Sequence, residues 1–247
     1  MKRVLSMAIV LFTLTMSAQT YVGVKGAAMN TWILNKHIAD AGPELDYKGS
    51  FAGGFSLAGI HMLGGQSGLT VNLGVSTIKQ QVQGDLGGLT IVGQTKMKYT
   101  DAGLFYTYLS EGGLFIEVGP QFSFRNDEIE EIYDFKGHYE VTNTFMDDNI
   151  NSMTVFGVFG IGGLINLNEE FKLSCGLRFG YGLNDLSTEL SSEEYIALDS
   201  SVKEYSFYSE IAQGADINEN SELTLDYKSS NPAFASFNLG LYYCFGK

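Results

Sequence analysis

The side chains able to do chemistry fall into three sets. Lys25, Asp101, Glu117, Arg125, Lys172 and Arg178 stand in stretches where large apolar residues alternate with small or polar ones, and all six share the small, polar parity. If those stretches are strands of a closed barrel, the six point into one narrow lumen. Mixed charges there must pair, because an isolated buried charge is expensive. They are read as a lumen ion-pair cluster that plugs the barrel or, with a gate, lines a narrow pore. The second set is Glu131, Asp134 and His138, the one place where carboxylates and an imidazole lie close enough in sequence to suggest a hydrolase. The third is Asp147 and Asp148, oxygen donors that suit a hard divalent cation but lack the twelve-residue calcium-loop pattern. His37, His61 and His138 show no metal-ligand spacing, and Gly84-Asp85-Leu86-Gly87-Gly88 lacks the lysine of a phosphate loop. There is no Gly-x-Ser-x-Gly elbow. The sequence predicts no catalytic residue, no metal and no cofactor, and the chain is read as no enzyme.

These residues need elements to hold them, and the pattern names strands. Leu69-Thr70-Val71-Asn72-Leu73-Gly74-Val75-Ser76 alternates cleanly, as do Leu114 to Arg125 and Phe171 to Gly182. Eight such runs are expected at about 20–30, 50–62, 67–79, 95–109, 113–125, 153–165, 171–183 and 233–246. They exceed the usual soluble strand of about 5–6 residues and match the ~9–11 that a tilted strand needs to cross a bilayer. In the sixth run Val155, Phe159 and Ile161 compete with Phe156, Val158 and Leu164 for the outer face, so its register stays open. Connections alternate between short turns (63–66, 110–113, 166–170) and long loops (31–49, 80–94, 126–152, 184–232). Short turns on one rim and long loops on the other are the layout of an outer-membrane barrel. A soluble barrel or sandwich shares the alternation, but strand length, loop asymmetry and the leader below favour the membrane.

Residues 1–18 read as a secretory signal peptide: Lys2 and Arg3, an apolar run from Val4 to Met16, then Ser17 and Ala18. Residues 19–247 are then the barrel domain. The formal charge is −13, which excludes a nucleic-acid binder held by positive charge. Loops 126–152 and 184–232 hold 19 of the 28 carboxylates. Aromatic residues gather toward the strand ends, where interfacial girdles belong: Trp32, Phe51, Phe122, Phe124, Phe179 and Tyr181 toward the loop rim, Tyr106, Tyr108, Phe171, Tyr243 and Phe245 toward the turn rim. Cys175 and Cys244 are expected on opposite faces of neighbouring strands, beyond disulfide reach.

Ser17-Ala18-Gln19 followed by Tyr21-Val22-Gly23-Val24-Lys25-Gly26, with the ending Phe237 to Phe245, resembles the outer-membrane β-barrel domain family of Bacteroidota that includes PorT-like proteins. The resemblance implies an all-β, eight-stranded antiparallel up-and-down transmembrane β-barrel of the bacterial outer membrane. It implies a structural or interaction role, or alternatively a narrow gated transport or secretion-associated barrel. Expected partners are outer-membrane lipid, the barrel-assembly machinery during biogenesis, and a surface ligand or secretion component met through loops 126–152 and 184–232.

Overall fold

Period-two alternation lets one strand present lipid-facing and lumen-facing side chains at once, and the chain uses it to build a wall. The computed structural model describes residues 19–41, 45–86, 89–135, 139–146, 148–198, 212–217 and 223–245. Its strands are β1 (Thr20–Asn35), β2 (Leu45–Lys48), β3 (Phe51–Gly64), β4 (Ser67–Leu86), β5 (Leu89–Leu109), β6 (Leu114–Phe135), β7 (Tyr139–Met146), β8 (Met153–Asn166), β9 (Phe171–Gly182), β10 (Ala215–Ile217), β11 (Leu223–Leu225) and β12 (Ser230–Phe245). Two short helices, α1 (Lys36–Asp40) and α2 (Ser192–Ala197), lie between strands. The proposed signal peptide, His138 and Asp147 fall outside the described residues.

Eight strands close an antiparallel ring in the order β1, β3, β4, β5, β6, β8, β9, β12 and back to β1. The eight-stranded antiparallel barrel read from the sequence is the architecture found. One circuit of the ladder runs Thr20, His61, Leu69, Tyr106, Val118, Phe159, Phe179, Ala235 and returns to β1 at Asn30. That stagger of ten residues over eight strands tilts the strands by about 40° and leaves a bore that side chains fill. No edge within the ring remains unpaired, which is what lets strands sit in hydrocarbon. The outer face is a belt of exposed apolar side chains, among them Val24, Leu57, Leu73, Val75, Leu104, Ile116, Val118, Ile161 and Leu239. Phe156, Val158 and Leu164 point inward while Phe159, Ile161 and Ile165 are exposed, which fixes the sixth membrane strand's register.

Much of the expected loop material on the long-loop rim is sheet. The segment 80–94 continues the β4–β5 hairpin, whose ladder runs from Ser67↔Tyr108 to Leu86↔Leu89. The segment 126–152 holds the upper part of β6 and all of β7, paired from Glu128↔Met146 to Phe135↔Tyr139. β2 adds to the upper end of β4. Above the bilayer the outer face no longer meets lipid, so apolar residues vanish from one parity and the alternation loses contrast in sequence. β6 bulges at the join: Arg125 to Ile129 lies opposite Tyr99 to Met97, four steps against two. A five-stranded platform, β2-β4-β5-β6-β7, thus stands on one side of the barrel.

Neither cysteine is in a disulfide; Cys175 faces Leu239 across the ladder and Cys244 faces Tyr21. They stand five rungs apart along β12, on opposite faces of the wall.

Candidate functional site

The lumen is layered. Inward parity together with the stagger brings Lys25, Asn72, Glu117, Arg178 and Asn238 to one level near mid-height. All five are buried, with Glu117 at 3%, Lys25 at 5% and Arg178 at 7% exposure. Arg178 Nε donates to Glu117 Oε1. With its amide turned oxygen-first, Asn72 accepts from both Nη atoms of Arg178 at 2.5 and 2.7 Å. The guanidinium also lies over the Phe105 ring, 4.7 Å from its centroid. Gly160 leaves the room this pair needs, since a Cβ there would lie 2.6 Å from Glu117 Oε1.

Two of the six predicted lumen charges, Glu117 and Arg178, therefore pair, and Lys25 shares their level. Asp101 stands slightly higher beside the same small cavity of about 50 Å³, where Ser123 Oγ donates to it at 2.6 Å. Arg125 sits higher again, its Nη2 donating to Ile150 O at 2.9 Å. Lys172 lies near the turn rim with its ammonium 4.9 Å from the Tyr21 ring centroid. The six stand on the inward parity of their strands; height along the axis separates them, and height depends on stagger, which a single sequence does not display.

Apolar clusters close the lumen on both sides of this charged level. Above it pack Met29, Ile33, Ile78, Met97, Tyr99, Phe156, Phe234 and their neighbours; below it pack Tyr21, Ile60, Met62, Leu164 and Tyr242. Beneath the lower cluster a vestibule of about 570 Å³ opens at the turn rim.

The segment after β9 folds back as a cap. Asp185 accepts from Ser230 N at 2.8 Å and Ser187 N at 3.2 Å, and its other oxygen accepts from the Tyr227 hydroxyl at 2.5 Å. Gln213, fully buried, donates to Thr188 O and accepts from Leu190 N. Asn35 caps α1 by accepting from His37 N and also donates to Lys228 O and Ser230 Oγ. Leu186 and Ile150 are thereby pressed onto the upper apolar cluster. Burial, and then the hydrogen bond to Asp185, push the Tyr227 hydroxyl above the ordinary phenol range. At the start of α2 a capping box with Ser191 holds the Glu194 carboxyl below its usual value.

Of the second set of sequence candidates, Glu131 and Asp134 are described and His138 is not. Glu131 is turned inward, buried, and accepts from Thr95 Oγ1 and the Tyr133 hydroxyl. Asp134 is three residues on in the same strand and so faces the other way. Asp148 remains exposed. The cap residues Asp185, Gln213 and Tyr227 carried no signal in the sequence, being isolated polar residues in a long connection. Asn72 and Asn238 did carry one, as polar residues on the inward parity.

A closed ring of eight tilted antiparallel strands, belted with apolar side chains and carrying its longer connections on one rim, defines an outer-membrane β-barrel. No family model matches the sequence, and no curated protein matches it. Among solved structures the chain is similar to Ail of Yersinia pestis in complex with the heparin analogue sucrose octasulfate, at 10% identity over 93% of this chain and 100% of that one, TM-score 0.39. It is similar to the outer membrane protease OmpT of Escherichia coli at 10% identity over 94% and 97% of the two chains, TM-score 0.41. It is similar to neisserial surface protein A at 8% identity over 91% and 96%, TM-score 0.38. At such identities nothing that those proteins bind or cleave passes to this chain.

Proposed function

We propose that the protein is a closed-lumen barrel of the outer membrane that works through its surface platform and cap, by contact with a partner, and neither conducts nor catalyses. The observation that carries this reading is the filled bore: a buried charged level between two apolar clusters, with the cap seated on the upper one. A solute crossing would have to displace packed apolar side chains and break the Glu117–Arg178 pair. The polar structure is instead spent on the platform, where β7 presents Thr142 and Thr144 outward. The Glu131, Asp134 and His138 set gives little support to a hydrolase, because the strand turns its two carboxylates to opposite faces. Residues 1–18 would serve as the export signal, and the barrel-assembly machinery would insert the mature chain.

Photo-crosslinking residues at Thr142 and Thr144, compared with Leu73 in the lipid belt and Gln66 at the turn rim, test the reading in intact cells. Discrete protein or polysaccharide adducts should come from the two platform positions. Adducts from Gln66 alone, together with solute-selective efflux from vesicles holding the purified barrel, would refute it.

A further inference from the structure

The outer wall carries a cationic patch that neither the lumen nor the cap uses. On β4 the outward parity runs Leu73, Val75, Thr77, Lys79; on β5 it runs Leu104, Ala102, Thr100, Lys98, Lys96. The ladder sets Lys79 directly opposite Lys96, with Thr77 opposite Lys98. Side chains directly opposite have Cβ atoms about 4.5–5.5 Å apart and diagonal neighbours about 7–8 Å, and like charges so placed destabilise a sheet. Three ammonium groups therefore share one small area against the sheet's own preference, in a chain of formal charge −13.

Among the described residues, carboxylates neutralise one of the three. Lys96 pairs with Glu130, across the ladder on β6, at 2.9 and 3.2 Å. Lys48 of β2, further up the same face, pairs with Asp46 at 3.0 Å. Glu128 is exposed on β6. Among the described residues Lys79 and Lys98 form no ion pair.

Height identifies what meets them. Tyr108, at the turn-rim girdle, lies ten residues below Lys98 on β5. At a rise of about 3.4 Å per residue and a tilt of about 40°, that is roughly 25 Å, the height of the apolar band of an outer-membrane barrel. The lysines thus stand at the outer headgroup level. Directly beneath them is a sheer apolar face, with Phe55, Leu57, Leu73, Val75 and Leu104 each at least 49% exposed.

We propose that Lys79, Lys96 and Lys98 form a binding site for the phosphorylated headgroup of an outer-leaflet lipid, whose acyl chains lie on the apolar face below. The phosphate relieves the repulsion between Lys79 and Lys96, and the acyl chains add contacts a free anion lacks.

The test uses the full mature chain folded in neutral detergent. Retention of a bis-phosphorylated glucosamine lipid is measured by native mass spectrometry, beside its dephosphorylated counterpart and with inorganic phosphate as competitor. Wild type should retain the phosphorylated lipid about tenfold more strongly, a factor worth about 1.4 kcal/mol. Lys79→Gln with Lys98→Gln should abolish that preference while keeping heat-modifiable gel mobility, and Lys79→Arg with Lys98→Arg should keep it. Equal retention of the two lipids, or a glutamine variant indistinguishable from wild type, overturns the proposal. Complete displacement by millimolar phosphate overturns it as well, because the patch would then bind a free anion. If the glutamine variant fails to fold, the wild-type comparison of the two lipids decides alone.

Discussion

Replacing Glu117 by alanine removes the carboxylate that Arg178 engages at mid-lumen. Arg178, at 7% exposure, is then left with Asn72 and the Phe105 ring, and Lys25, at 5%, is buried on the same level, so neither charge reaches water easily. Breaking a buried pair by removing one partner costs about 3–5 kcal/mol, because the surviving charge is uncompensated. Arg178→Met removes that stranded charge, so the double variant Glu117→Ala/Arg178→Met should be less destabilised than the sum of the single variants by about 2 kcal/mol or more. The chain has one tryptophan, Trp32, on β1 near the loop rim, so urea unfolding in micelles can be followed by its fluorescence, with heat-modifiable mobility as a second reading. A Glu117→Ala barrel as stable as wild type, or single effects that add within about 0.5 kcal/mol, would refute the reasoning.

Other consequences follow from particular contacts. Gly180 faces the Phe234 ring, so Gly180→Leu should destabilise the barrel by about 1–3 kcal/mol through overpacking. Adding Phe234→Ala should recover much of the loss in the same unfolding assay; no recovery would mean the clash lies elsewhere. Asp185→Ala removes acceptors from Ser187 N, Ser230 N and the Tyr227 hydroxyl, and limited proteolysis should then cut the cap well before the barrel wall. The Tyr227 hydroxyl ionises less readily in the fold than in the unfolded chain, so its share of the cap's stability is complete below the ordinary phenol value near 10 and declines above it. Protease protection of the cap should hold through pH 9 and fall at higher pH, and Tyr227→Phe should flatten that fall; protection that fades between pH 7 and 9 would contradict the assignment.

The membrane-spanning strands were legible because lipid outside and a narrow bore inside impose opposite demands on alternate residues. Leu114 to Arg125 shows this directly: Ile116 and Val118 are exposed, whereas Glu117 and Ser123 are buried. The upper sheet was not legible, since Gln81, Gln83 and Gln94 occupy the outer parity there and look like loop residues. For the same reason Lys79, Lys96 and Lys98 did not stand out as a group until the β4–β5 ladder set them side by side. In the lumen, parity assigned six charged residues to one compartment, but the stagger decides which of them share a level, and it pairs Glu117 with Arg178 and sets Lys25 beside them. The cap depends on contacts between residues far apart in the chain, such as Asn35 with Lys228 and Asp185 with Tyr227, for which no local pattern exists.

The closed bore is tested most directly by single-channel recording of the purified barrel in planar bilayers. The packed apolar clusters on either side of Glu117 and Arg178 predict a flat current at all voltages, unchanged when Asp185→Ala loosens the cap. Resolved, voltage-stable conductance steps from the wild-type chain would contradict it.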